Sequence, residues 1–346
     1  MQESLPREDP FSPENCRNEE MTKIKTLLLG AFLVPIMVTF DPATSVENPI
    51  ASIDDAISTA SANIVSNIRT GRHLGFDTYV YPGDDAMLAW RDDDVPYEWV
   101  GYYLPAPCHK SDSWSGKRAT LTNMGWGLAV IYVGQQVWSG VPGKPVVGTR
   151  YVTRRVRTTV RRHGKRVTRY VRKRVPVRVV VQPRVQRGSS CATQLVSGSR
   201  GMIDAADAIN QAASEGFPRG TVIFLDIERM DKVPSRMRDY YLAWTKRVLT
   251  DGRYKPGYYV HDHNATRVYT DIAGLYVNAG LREAPPFWVA SGRGFSEDKA
   301  PHEVGHSFAR VWQGVLDVVQ THNGVRLPID VNVANVPSPS ASALTD

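Results

Sequence analysis

The sequence predicts an α/β fold, a single (β/α)8 TIM-type barrel that carries an Arg-rich inserted arm. Three observations point to it. Eight short apolar runs recur along the chain, separated by helical or loop-like stretches. Within these runs the apolar character is near-continuous instead of strictly alternating, as in parallel strands covered on both faces. Gly75 to Val336 spans 262 residues, and without a basic segment of 38 it spans 224, close to a minimal barrel.

From the N-terminus, residues 1–20 read as a polar, acidic upstream extension, with Met21 as an alternative start. Met21-Thr22-Lys23-Ile24-Lys25 followed by the apolar stretch Leu27 to Phe40 reads as a signal peptide over 21–45, because 14 residues interrupted by Pro35 fall short of a membrane span. The expected destination is secreted, periplasmic or extracellular. Residues 46–72 form a linker or helix, with Ile50, Ile53, Ile57, Ile64 and Ile68 in a weak helical pattern. The barrel is expected over 73–336. Its strands are His73–Val80, Trp99–Tyr103, Leu128–Val133, Thr221–Asp226, Gly257–Val260, Phe287–Ala290, Ala309–Gln313 and Ile329–Val333. Two helices are well marked. Ser199 to Ala213 carries Met202, Ile203, Ala206, Ile209 and Ala213 at helical spacing, and Arg236 to Leu249 ends at Gly252. The β, α, β alternation predicts a parallel sheet. After Val336 a tail over 337–346, rich in Ser, Pro and Ala, reads as disordered.

A hydrophobic content of 42% excludes a disordered chain. The net charge of +7 is unevenly placed: Arg150 to Arg187 holds thirteen Arg, two Lys and no acid, which leaves −8 for the rest. This low-complexity arm, over 149–190, is β-branched and centred on His163-Gly164, and so reads as a projecting β-hairpin. Its partner is either an anionic polymer or a membrane surface, with no specific nucleic acid expected, or it is a solvated arm with no partner. Cys16 lies in the leader. Cys108 and Cys191 remain, either bridged across the base of the arm or as two unrelated thiols.

The chemistry centres on Thr221-Val222-Ile223-Phe224-Leu225-Asp226-Ile227-Glu228. An apolar strand that ends in Asp-x-Glu puts both carboxylates on one side, and at the C-terminal end of a barrel strand that side faces the mouth. Crowded carboxylates raise one another's pKa, which suits a general acid. Asp77 and Asp330 sit at the first and last strands, so four acids can converge. Tyr103, Tyr132, Tyr259, Trp288, Trp312 and Gln313 lie at or near other strand ends and are the candidate substrate-binding residues.

Gly75-Phe76-Asp77, Val100-Gly101-Tyr102-Tyr103-Leu104, Tyr132-Val133-Gly134-Gln135-Gln136, Asp226-Ile227-Glu228, Phe287-Trp288-Val289-Ala290, Trp312-Gln313 and Ile329-Asp330-Val331-Asn332 together resemble the bacterial secreted glycoside-hydrolase-like family of unknown function, related to family-25 lysozyme-type glycoside hydrolases. The resemblance implies a TIM-type barrel without a cofactor. It also implies an acidic cluster of Asp77, Asp226, Glu228 and Asp330, with Glu228 in the general-acid place, acting on a cell-envelope, peptidoglycan-type polysaccharide. The arm departs from the family's pattern.

Three other readings compete. A barrel that holds envelope glycan without cleaving it fits the same residues. His302-Glu303-Val304-Gly305-His306 matches the zinc-peptidase pattern H-E-x-x-H, although Pro301 allows a helix only to begin there. His261-Asp262-His263, with the acids, could serve a metal-dependent deacetylase.

Overall fold

The computed structural model describes residues 71–181, 185 and 187–341, so the leader and the 46–72 segment lie largely outside the described residues. The barrel strands are β1 (His73–Asp77), β2 (Trp99–Tyr103), β3 (Gly127–Tyr132), β6 (Val222–Ile227), β7 (Lys255–His261), β8 (Phe287–Ala290), β9 (Ala309–His322) and β10 (Val325–Ala334). Between β3 and β6 the chain departs into β4 (Val146–Arg162) and β5 (Lys165–Val181), a separate two-stranded sheet. The helices are α1 (Asp84–Ala89), α2 (Arg118–Asn123), α3 (Gly198–Ser214), α4 (Ser235–Asp251) and α5 (Asp262–Asn278). The eight strands close in the order β1-β10-β9-β8-β7-β6-β3-β2.

One feature departs from the expected parallel sheet. β9 turns back at Asn323-Gly324, both at positive φ (48° and 77°), and β10 therefore runs antiparallel to β9 and β1. A two-residue turn of this kind joins antiparallel neighbours and leaves no room for a crossover helix.

The interior is filled at its base by Trp99, Phe224, Trp288, Ile131, Val222 and Val311. Trp99 and Trp288 meet edge to face at 5.6 Å. β1 makes room for this pair with Gly75, where a Cβ would lie 2.2 Å from the Trp99 ring. The alternate residues of each strand, among them Phe76, Tyr132, Leu225 and Tyr258, point outward into the helical layer.

Two sequence expectations are corrected here. The described part of the tail, residues 337–341, packs against the barrel: Ser338 Oγ and Ser340 Oγ accept from the Leu128 and Val130 amides at 3.1 and 2.7 Å. The Val222 amide in turn donates to the Ser340 carbonyl at 2.9 Å. Buried strand amides need partners, and the serines supply them. α3 buries a face of small residues (Gly201, Ala205, Ala208 and Ala212) and leaves Met202 and Ile203 exposed. A Cβ on Gly201 would fall 2.2 Å from the Tyr240 carbonyl oxygen, so the close approach of α3 to α4 selects small residues over large apolar ones.

Candidate active site

Strand alternation builds the site one layer above the aromatic plug. On β6, Phe224 fills the interior, Asp226 points inward above it, and Glu228 follows at the mouth. β1 contributes Asp77, which is paired directly with Asp330 of β10. Asp77 and Asp226 are buried, while Glu228 and Asp330 are partly open.

Asp77 accepts three hydrogen bonds: from Tyr103 Oη at 2.7 Å, Gln313 Nε2 at 2.9 Å and Asn332 Nδ2 at 2.9 Å. Both amides are oriented by aromatic donors. The Trp288 indole N–H can only donate, and it gives to Asn332 Oδ1 at 2.9 Å, which turns the Asn332 NH2 toward Asp77. Tyr259 Oη donates to Gln313 Oε1 at 2.5 Å, which turns that NH2 toward Asp77 and Asp330. Asp330 also accepts the Asp317 amide at 2.7 Å.

Four carboxyl groups are concentrated here, and among the described residues none of them forms an ion pair. Burial raises the pKa of Asp77, and its three donors hold it back. Asp226 is pushed well above the usual carboxylate range by burial first, then by the charges of Glu228 and Asp77. Its Oδ1 is buried and makes no hydrogen bond among the described residues. Asp330 is raised by burial and by Asp77, and Glu228 is raised by burial. This arrangement holds protons on carboxyl groups at pH values where free ones have lost them.

The candidate substrate-binding residues separate by strand face. Tyr103 and Tyr259 are half-buried and stand over the cluster. The other four do not line an open groove. Tyr132 is fully buried on the outer face, where its hydroxyl donates to Asp207 at 2.8 Å. Trp288 is fully buried within the barrel. Trp312 is fully buried on the outer face, donating to the Ser291 carbonyl at 2.7 Å. Gln313 is buried and uses its amide on Tyr259, Asp77 and Asp330.

Several residues at the site were not singled out by the sequence reading. Gln136 holds the end of β6: its Nε2 donates to the Asp226 carbonyl at 2.8 Å and its Oε1 accepts the Glu228 amide at 3.2 Å. The adjacent Gln135 holds the root of the arm, donating to the Ser190 carbonyl at 2.8 Å and accepting the Ala192 amide at 3.1 Å. At the same root Cys108 and Cys191 form the disulfide that was one of the two sequence readings of this pair. His109, fully buried, stacks on Tyr103 at 4.7 Å and meets Tyr79 at 4.2 Å, and among the described residues neither ring nitrogen has a hydrogen-bond partner. Asn332 has a partial signal in the sequence, since it lies two residues from Asp330 and therefore on the same face.

The histidine motifs take other geometries. Pro301–Val304 is a 3-10 turn that Gly305 ends at φ 101°, so His302 and His306 do not share a helical face. His306 pairs with Asp262 at 2.7 Å, and Glu303 accepts the Ala300 amide. The zinc-peptidase arrangement is therefore not formed. In the second motif, His261 Nδ1 accepts the His263 amide at 3.1 Å as the cap of α5, while His263 reaches the Asp231 carbonyl. Among the described residues, no group of three or more His, Cys, Asp or Glu is arranged to hold a metal ion.

Comparison with known proteins adds three findings. A family model described as "Rv2525c-like, glycoside hydrolase-like domain" matches residues 89–334. A search of curated proteins returns no match. Among solved structures, the chain is similar to an uncharacterized B. stearothermophilus protein (TM-score 0.45, 16% identity, 76% of this chain and 95% of that one). It is also similar to the Mycobacterium tuberculosis Tat-secreted protein Rv2525c (TM-score 0.38, 16% identity, 76% and 94%). A third is the bacterial lysozyme from Streptomyces coelicolor (TM-score 0.41, 14% identity, 76% and 92%).

Proposed function

The chain belongs to the Rv2525c-like, glycoside hydrolase-like domain family, and we propose that it hydrolyses a peptidoglycan-type glycan of the cell envelope through the carboxylate cluster at the barrel mouth. The observation that carries this reading is the pairing of Asp226, whose buried Oδ1 makes no hydrogen bond among the described residues, with a partly open Glu228 just past the end of the same strand. Glycosidic cleavage calls for two carboxyl groups with different tasks, and these two stand in different environments, one buried and one partly open.

In this reading Glu228, whose pKa burial raises, gives its proton to the glycosidic oxygen. Asp226 ionises as the oxocarbenium-like centre develops above it and stabilises that centre, or orients a substrate acetamido group to attack it. Asp77 and Asp330, fixed by Gln313, hold the sugar and set the field. Tyr103 and Tyr259 provide the aromatic walls. The Cys108–Cys191 bridge supports action in an oxidising, extracytoplasmic compartment.

The test is product analysis by mass spectrometry on isolated cell-wall glycan, with the wild type and Glu228→Gln in parallel. Soluble fragments with a new reducing end from the wild type alone would uphold the assignment. Fragments from both would remove Glu228 from the acid role. Saturable binding with no fragments from either would replace hydrolysis with a glycan-holding barrel.

A further inference from the structure

The β4–β5 arm is a regular object built against its own charge. Its two 17-residue strands pair without interruption from Val146–Val181 to Arg162–Lys165, a length of about 55 Å. His163 and Gly164, at φ 47° and 76°, close it with the primed turn that two-residue hairpins prefer. Between 146 and 181 there are thirteen Lys and Arg and no Asp or Glu. Among the described residues, none of the arm's cations forms an ion pair with an acid.

The register sharpens the point. Arg154 faces Lys173, Arg155 faces Arg172, Arg161 faces Arg166, and Arg162 faces Lys165, each pair directly opposite. Like charges in that position destabilise a hairpin. Alternation sends these pairs to both faces. One face carries Arg154–Lys173 and Arg162–Lys165 between the valine pairs Val152–Val175, Val156–Val171 and Val160–Val167. The other carries Arg155–Arg172 and Arg161–Arg166 with Arg157 and Tyr170. A flat bilayer would meet one face and leave the cations of the other unmatched. A flexible anionic chain can run along both. Aromatic platforms for stacked bases are sparse, because Tyr151 and Tyr170 are the arm's only aromatics apart from the turn histidine, and Arg174 already covers Tyr151 at 5.5 Å.

We propose that the arm is a docking site for an extended, base-free polyanion, a linear phosphodiester polymer of the kind that decorates envelope glycan. Its root lies at the mouth of the barrel. Gln135 ties the segment returning from the arm to β3, while its neighbour Gln136 ties β3 to the Asp226–Glu228 step. A polymer held on the arm is thereby kept beside the acidic site without entering it, because the carboxyl groups of Asp77, Asp226, Glu228 and Asp330 would repel that polymer from the mouth. The binding itself is independent of the hydrolase reading. Its consequence, retention of the barrel on decorated glycan, rests on that reading.

The experiment measures binding of the full chain to poly(glycerol phosphate) at 50 and 200 mM salt, with duplex DNA, anionic vesicles and neutral dextran alongside. The expected result is saturable binding to the phosphate polymer that weakens about tenfold or more across that salt range, as counterion release dictates. A variant with Arg154, Arg155, Arg172 and Lys173 all changed to Thr should lose it by a similar factor. A variant with Val152, Val156, Val171 and Val175 changed to Thr should keep it. Salt-insensitive binding, or none, would overturn the proposal. So would vesicle binding that depends on the valines, which would make the arm a membrane anchor, or tighter binding to DNA than to the polymer. Cleavage of undecorated glycan, measured separately, reports on the barrel alone, and failure there leaves the arm's assignment standing.

Discussion

Asp77 and Asp330 face each other across the antiparallel β1–β10 pairing, and one side chain, Gln313, donates to both carboxylates at 2.9 and 3.1 Å. Two acids at opposed positions would normally repel. The shared amide, with Asn332 and Tyr103 on Asp77 and the Asp317 amide on Asp330, makes the arrangement tenable.

Replacing Gln313 with Met keeps the volume and removes the shared donor. The Gln313 bond lowers the Asp77 pKa, so its loss raises that pKa further and penalises the ionised form. A raised carboxyl pKa contributes stability at low pH that is lost as pH rises through the folded value. The variant should therefore be destabilised more at pH 8 than at pH 4. The loss at pH 8 should be about 2 to 4 kcal/mol, the scale of one or two charge-assisted hydrogen bonds. Chemical denaturation at the two pH values measures it, and equal losses at both would show that Gln313 acts through packing alone.

Asp226 offers the opposite outcome. Its buried Oδ1 has no donor, and burial, Glu228 and Asp77 all oppose its ionisation. Asp226→Asn removes that cost in the same shape. The variant should be more stable than the wild type at pH 8 by about 1 to 2 kcal/mol, a usual gain when a functionally constrained position is relieved. The advantage should shrink as pH falls toward 4, because protonation of the wild-type acid removes that cost. If the cluster is catalytic, glycan turnover falls in the same variant. A thermal melt in which Asp226→Asn is less stable at pH 8 would mean the carboxylate is satisfied in solution by something other than protein.

The contrast between Asp226 and the aromatic residues shows what the sequence makes legible. The Asp226-Ile227-Glu228 step can be read because side chains alternate along a strand and an apolar run fixes where the strand lies. The same rule places Tyr132 opposite Ile131, which faces the interior, and Trp312 opposite Gln313, so both point outward although they sit near strand ends. Nearness to a strand end without regard to face is what made them appear to line the groove. The two hairpins are similarly instructive. His163-Gly164 is conspicuous within a charged β-branched run, whereas Asn323-Gly324 makes the same kind of turn inside what resembles an ordinary connection between barrel strands. Gln136 and His109 act from loops after β3 and β2, where no period constrains the reading. Their roles come from contacts between segments far apart in the chain.

His109 supplies the last prediction. It is fully buried between Tyr103 and Tyr79, neither ring nitrogen has a partner, and burial lowers its pKa to about 4. A histidine held neutral in this way binds fewer protons folded than unfolded between about pH 4 and its ordinary value near 6.5. Folding stability therefore falls as pH drops through that window and levels off below it, by about 3 kcal/mol in total at 1.36 kcal/mol per unit. The raised carboxyl groups work with the opposite sign, gaining stability as pH falls, so the wild-type curve alone mixes the two. His109→Phe separates them, because Phe keeps the ring against Tyr103 and does not titrate. The difference in unfolding free energy between the variant and the wild type should move by about 3 kcal/mol in favour of Phe between pH 7.5 and pH 4. Glycan turnover at neutral pH should be unchanged, since His109 touches Tyr103 and not the carboxylates. A pH-independent difference would mean that the imidazole finds a proton partner in the folded state, and that Tyr103 is supported by a hydrogen-bonded histidine instead of an apolar one.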